Sequence, residues 1–231
     1  MKKLPRSFYL QPTITIAREL LGKYLVRRVR GRTLVGRIVE TEAYRGKLDP
    51  ASHAYRGRTN RNEVMFKEGG HLYVYFTYGM HFCANVVTRE EGIGEAVLIR
   101  ALEPLEGIEA MKRNRFGGRT RHSGSHQLTI HQLTTHQHLD SRKTLGRGEL
   151  TTHQSPINQL PILTNGPAKL CQALGIRRTE NGIDLTGTEI FILNARRLSA
   201  TTIGISERIG ITNGKEKKWR FYIKGNAWVS R

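Results

Sequence analysis

Cysteine is almost absent. The 231 residues hold two, Cys83 and Cys171, with no CxxC pair and no Cys/His spacing suited to a metal. Two isolated cysteines fit a reducing compartment and read as small buried hydrophobes. Acidic residues are also scarce, 19 against 38 Lys and Arg, which leaves a formal net charge of +19. No apolar run reaches membrane-spanning length, and the start, MKKLPRSFYLQPTITIARELLG, has no apolar segment long enough for a signal peptide. No Gly-rich phosphate loop and no RNA-binding motif is present. We therefore expect an intracellular, soluble chain that forms one domain or two small ones around a real core. The cationic surplus favours a polyanionic partner, nucleic acid ahead of an anionic membrane surface.

Residues 1–12 read as a polar lead-in. TITIARELLG, residues 13–22, predicts a short helix with Thr13 as its cap and Gly22 at its end. Residues 24–29 and 34–44 predict two strands of a hairpin. The second strand carries Glu40 and Glu42 on alternate residues, hence on one face, with Tyr44 next on that side. Residues 45–70 form a loop-like, basic stretch with Arg45, Lys47, Arg56, Arg58, Arg61 and Lys67, suited to phosphate contacts or simply to solvation. His71–Thr88, HLYVYFTYGMHFCANVVT, predicts an aromatic hairpin with Tyr78-Gly79-Met80 at its turn. Tyr73, Phe76 and Phe82 are expected in the core. EAVLIRAL, residues 95–102, predicts a buried strand whose Arg100 either pairs with a carboxylate or faces a phosphate. EPLEGIEAMKRNR, residues 103–115, predicts a helix with Pro104 in its first turn. Residues 117–160 hold six of the nine histidines in a degenerate HQ repeat and read as a low-complexity insert rather than a metal site. A helix over 165–175 and short strands at 190–194, 203–211 and 220–223 close the chain. The sum is an α+β fold dominated by antiparallel hairpins.

A carboxylate, stacking rings and a projecting tip on a basic protein are what an enzyme acting on an extruded DNA base needs. The phrases GRIVETEAYRG, SHAYRGRTNRNEVMF, LYVYFTYGM, VLIRALEPLEG, NGPAKLCQALGI and RFYIKGNAWVS resemble the mammalian-type 3-methyladenine (alkyladenine) DNA glycosylase family. They run in order along nearly the whole chain, with only about 117–160 lacking a counterpart.

The resemblance implies a single mixed domain with a curved antiparallel sheet, flanking helices and a protruding hairpin. It implies a monomeric, monofunctional enzyme acting on double-stranded DNA that contains damaged purines such as 3-methyladenine, 7-methylguanine, hypoxanthine or ethenoadenine. No metal or organic cofactor is expected. Glu42 takes the place of the general base, with Arg100 holding water or phosphate beside it. Tyr44 on one side and His53 with Tyr75 on the other would sandwich the flipped base, and Asn85 and Leu98 would complete its pocket. Tyr78 would wedge into the duplex with Met80 supporting it. Arg45, Arg56, Arg58, Arg61 and Lys224 would contact phosphates. His81 stands where the family carries Tyr, which bears on substrate range. Glu40 is expected to be structural. The rival expectations are a damage-binding protein without base release, an acyl- or formyl-transferring enzyme on a related fold, and an RNA-binding module.

Overall fold

The computed structural model describes residues 1–77, 79–117 and 162–230. Among them lie α1 (Arg6–Tyr9), α2 (Thr13–Glu19), α3 (Ile108–Phe116) and α4 (Pro167–Leu174). The strands are β1 (Tyr24–Val29), β2 (Arg32–Arg45), β3 (Leu72–Thr77), β4 (His81–Thr88), β5 (Glu95–Glu106), β6 (Ile190–Leu193), β7 (Ile203–Ser206) and β8 (Arg220–Ile223). All eight join one sheet in the order β3-β4-β5-β2-β1-β6, with β8 pairing both β2 and β7. Every pairing is antiparallel, so the α+β reading holds.

The 14-residue β2 is the spine of the molecule. Its first half pairs with β1, and residues 40–42 pair with β8 on that same edge. β5 follows it along the other edge, with register shifts on both sides of Glu40. Val39 and Arg100 are the two residues left without a cross-strand partner there. Bulges of this kind re-aim side chains. Here they turn Arg100 toward both glutamates of β2.

One face of the sheet packs on α1, α2 and α4 in the main core, with Ile16, Leu20, Ile38, Ile99, Leu102 and Leu170 at its centre. A smaller cluster on the other face gathers Val64, Met65, Phe66, Tyr73, Val87 and Ala96.

Several boundaries differ from expectation. The lead-in contains α1, whose Phe8 and Tyr9 are buried. Thr13 does not cap α2: its hydroxyl bonds Glu95 and Thr88, and Pro12 holds the cap position. Residues 103–106 extend β5, with Pro104 opposite Gly36, so α3 starts only after Gly107 at φ +75°. β7 stops at Ser206 because its partner β8 is only four residues long. Phe76, expected in the core, is exposed. The predicted insert lies almost wholly outside the described residues.

Candidate active site

Cross-strand partners share a face of a sheet. Register therefore places Tyr73, Asn85, Leu98, Glu42 and Arg220 in one row across β3, β4, β5, β2 and β8. Tyr75 and Cys83 form the adjacent pair on that face, and Tyr44 stands two residues beyond Glu42. Over this row lies a cavity of about 450 Å³ lined by Tyr44, His53, Tyr75, Asn85, Leu98 and Arg100 among others. Small-molecule sites span roughly 300–1,000 Å³. The five residues expected to surround a base thus line one cavity, together with Arg100, expected beside Glu42.

Glu42, expected as the general base, lies just behind the wall with a fully shielded side chain. Oε1 accepts from the Ile209 N–H at 2.8 Å and faces Arg100 Nη1 at 3.2 Å. Oε2 accepts from the Tyr44 hydroxyl at 2.9 Å. A carboxylate oxygen has two lone pairs. Among the described residues Oε2 has no second donor, which leaves one of its lone pairs unfilled. Burial raises the Glu42 pKa above its ordinary value, against the opposing pull of Arg100, the Ile209 N–H and Tyr44. Glu40 adds to the rise. Desolvation is the largest of these effects, and Arg100 the largest of those that oppose it.

Glu40 is held quite differently. Its carboxylate takes Arg100 Nε at 2.9 Å, Arg220 Nε at 2.6 Å, and the Ser230 N–H and hydroxyl at 2.7 and 2.8 Å. Arg100 is therefore paired with both carboxylates rather than aimed at a phosphate. Burial opposes its charge, but Glu42 and Glu40 raise its pKa on balance.

The aromatic wall is prearranged. The His53 ring meets Tyr75 edge-on with centroids 4.4 Å apart, and its Nδ1 lies 3.0 Å from the Tyr73 hydroxyl. Burial of that inner edge, then the Arg61 charge, lowers the His53 pKa. The Tyr73 phenol is pushed up to about 12, chiefly by burial. Burial also raises Tyr44 and Tyr75, helped by Glu42 in one case and Cys83 in the other. These rings stay neutral across the physiological range. Asn85 is fixed by its Nδ2 donating to the Tyr73 carbonyl at 3.1 Å.

The family model described as Methylpurine-DNA glycosylase (MPG) matches residues 7–227. A protein of Clostridium acetobutylicum named "Putative 3-methyladenine DNA glycosylase" is 44% identical over 99% of this chain and 97% of its own length. Proteins of the same name from Carboxydothermus hydrogenoformans and Desulfitobacterium hafniense are 44% and 43% identical, over 98% and 99% of their lengths. The chain belongs to the methylpurine-DNA glycosylase family. The family's chemistry is hydrolysis of N-glycosyl bonds in DNA.

Of the remaining expected residues of this glycosylase, Arg61 alone lines the cavity among the described residues. Met80 is 69% exposed at the end of the β3–β4 hairpin, beside Gly79 at φ +66°. Tyr78 lies outside the described residues. His81 pairs with Thr77 and is not part of the cavity wall. Arg56 and Arg58 are exposed. Arg61 reaches the cavity rim, where it touches the Phe76 carbonyl at 3.4 Å. Arg45 is engaged with Glu95 at 3.6 Å and with the Trp219 ring. Lys224 bonds the Thr201 carbonyl at 3.0 Å.

Sequence reasoning missed the opposite wall, residues 209–213. It assigned Tyr73 to the core, although that buried ring also borders the cavity and bonds His53. The pairing Tyr73–Asn85 could have revealed the second. Nothing local marks the first.

Proposed function

We propose that this protein is a monofunctional DNA glycosylase that flips alkylated or deaminated purines, 3-methyladenine foremost, from duplex DNA into this cavity. The observation that carries the reading is the register that brings Glu42, with one lone pair of Oε2 unfilled, directly behind the wall of a cavity lined by Tyr44, His53 and Tyr75. Tyr44 faces the base from one side and His53 with Tyr75 from the other. Each such stack is worth roughly 1–3 kcal/mol. Asn85 and Leu98 form the floor. Electron-rich rings suit cationic N-alkylated purines.

Glu42 accepts a proton from water as the water oxygen bonds to the sugar C1′. The N-glycosidic bond breaks with its electron pair leaving on the purine. A cationic 3-methyladenine departs as a neutral base. The carboxylate also stabilises the positive charge that develops on the sugar. Arg100 keeps Glu42 oriented and favours its ionised form. No lysine lines the cavity among the described residues, which supports hydrolysis over a Schiff-base lyase step. Tyr78, with Met80 beside it, fills the space left in the helix, and such a wedge accompanies a kinked duplex. Arg56, Arg58 and Arg61 supply phosphate contacts; Arg45 joins them on leaving Glu95. The protein acts as a monomer on a single domain.

Incubation with methylated duplex DNA is expected to release free 3-methyladenine and leave abasic sites in unbroken strands. Binding without release would move the protein to the damage-binding class. Strand scission at the site by the pure protein would replace the hydrolytic step with a lyase.

A further inference from the structure

Arg208 is 3% exposed, and its side chain and that of Asp49 are both fully shielded from water. The pairing is bidentate, with Nη2 to Oδ1 at 2.8 Å and Nη1 to Oδ2 alongside. Nη1 also donates to the Ala43 carbonyl at 3.0 Å, and Nη2 to the Gly214 carbonyl at 3.2 Å. The guanidinium carbon sits 4.7 Å from the Tyr44 ring centroid and 5.2 Å from that of Trp219. Gly214 has φ +69°, and a Cβ there would meet Arg208 Nη2 at 3.0 Å. The guanidinium is wholly buried, and of its nitrogens Nε alone has no hydrogen-bond partner among the described residues.

A buried ion pair is a poor general source of stability, because desolvation cancels much of the attraction. This pair has a more specific consequence. It ties the end of β2 to both ends of the 208–214 segment, whose middle is the cavity wall. Arg208 does not itself line the cavity, so it supports Tyr44 from outside it. The next peptide places the Ile209 N–H on Glu42 Oε1 at 2.8 Å and the Ile209 carbonyl 3.4 Å from Arg100 Nη1.

We propose that Arg208, clamped by Asp49, is a positioning residue for base excision: it backs the Tyr44 stacking face and holds the Ile209 peptide against Glu42. The inference rests on the glycosylase reading above. Arg208 touches no substrate. It acts through Tyr44 and through the backbone that fixes the carboxylate. The groups facing Glu42 are Glu40 and Tyr44 on its own strand, Arg100 on β5, Cys83 on β4, and Arg208 with the Ile209 N–H on the far wall; Arg220 on β8 is committed to Glu40. Loss of Arg208 removes one cation and loosens one N–H donor. Both changes disfavour ionised Glu42, so the pH at which excision falls off on the acid side moves upward.

The test is the single-turnover rate of 3-methyladenine release from methylated duplex across pH, with lesion-DNA affinity measured in parallel. The variants are Asp49→Asn, Arg208→Lys and the charge-free Asp49→Leu/Arg208→Met pair, which avoids stranding a single buried charge. The acid-side limb is expected to rise in the double variant through the loosened Ile209 N–H, since the cation and the Asp49 anion leave together, and by less in Arg208→Lys, which keeps the ion pair but loses the fork. Lesion affinity is expected to drop while affinity for undamaged duplex holds. A rate lowered by one common factor at every pH, with the limb unmoved, would reduce Arg208 to a structural role and overturn the proposal. Failure of the glycosylase reading looks different: the wild-type protein would release no base.

Discussion

Two carboxylates two residues apart on β2 occupy opposite ends of one arginine, and their surroundings diverge. Glu40 sits where β2 meets β8 and Ser230. Two guanidiniums, an N–H and a hydroxyl occupy its oxygens. Glu42 is equally shielded but lies just behind the cavity wall, held by one guanidinium, the Ile209 N–H and the Tyr44 hydroxyl. The same residue type thus serves as a strut in one place and as a reactive group in the other. The difference comes from how many donors each environment supplies. Glu40 is neutralised by two guanidiniums beside two further donors, whereas Glu42 has one guanidinium, an N–H and a hydroxyl, and burial raises its pKa and readies it to take a proton.

The contrast can be broken most forcefully at Glu42. Glu42→Gln is expected to slow base release by about 10²–10⁴-fold, the usual worth of general-base catalysis, while lesion-DNA affinity is retained. Its stability should hold or rise at neutral pH. A carboxylate raised in the folded state costs stability above its folded pKa, and that cost grows as pH climbs from the unfolded value through the folded one. Glu40→Gln should do the reverse. Leaving Arg100 and Arg220 short of an acceptor is expected to cost about 3–5 kcal/mol in chemical denaturation, with excision by the folded fraction less affected than in Glu42→Gln. Equal rate losses in the two variants would erase the distinction between strut and base. Tyr44→Ala should have the smallest effect of the three. Lesion affinity is expected to fall by roughly 1–3 kcal/mol, the value of one stacked base, measured against an undamaged duplex whose affinity is unchanged.

Much of this was legible in the chain. The alternation Glu40-Thr41-Glu42 gives the shared face directly, and the hairpin around Gly79 follows from the aromatic, alternating strands on either side of it. What escaped was governed by partners distant in sequence. Pro104 looks like the first turn of a helix, but β2 is long enough to hold residues 103–106 in the sheet. The alternation Ile203, Ile205, Ile209, Ile211 looks like one strand. It ends at Ser206 because β8 has no further residues to pair, and Gly210 turns at φ +77°. That break creates the wall carrying Arg208 and the Ile209 N–H. Neither residue carries a local signal, since their roles depend on Asp49 and Glu42, about 160 residues earlier. The division of labour between Glu40 and Glu42 came from the family resemblance. The alternation alone treats them alike, and partners distant in sequence, Arg220 and Ser230 for one and Ile209 for the other, separate them physically.

The most direct measurement is the single-turnover rate of 3-methyladenine release against pH, for the wild type and for Glu42→Gln. The account predicts that wild-type release falls as pH drops through a value above the ordinary carboxylate range, because burial raises Glu42. It predicts that the residual rate of Glu42→Gln lacks that limb. A limb of the same position in both proteins would contradict the account and assign the proton transfer to another group.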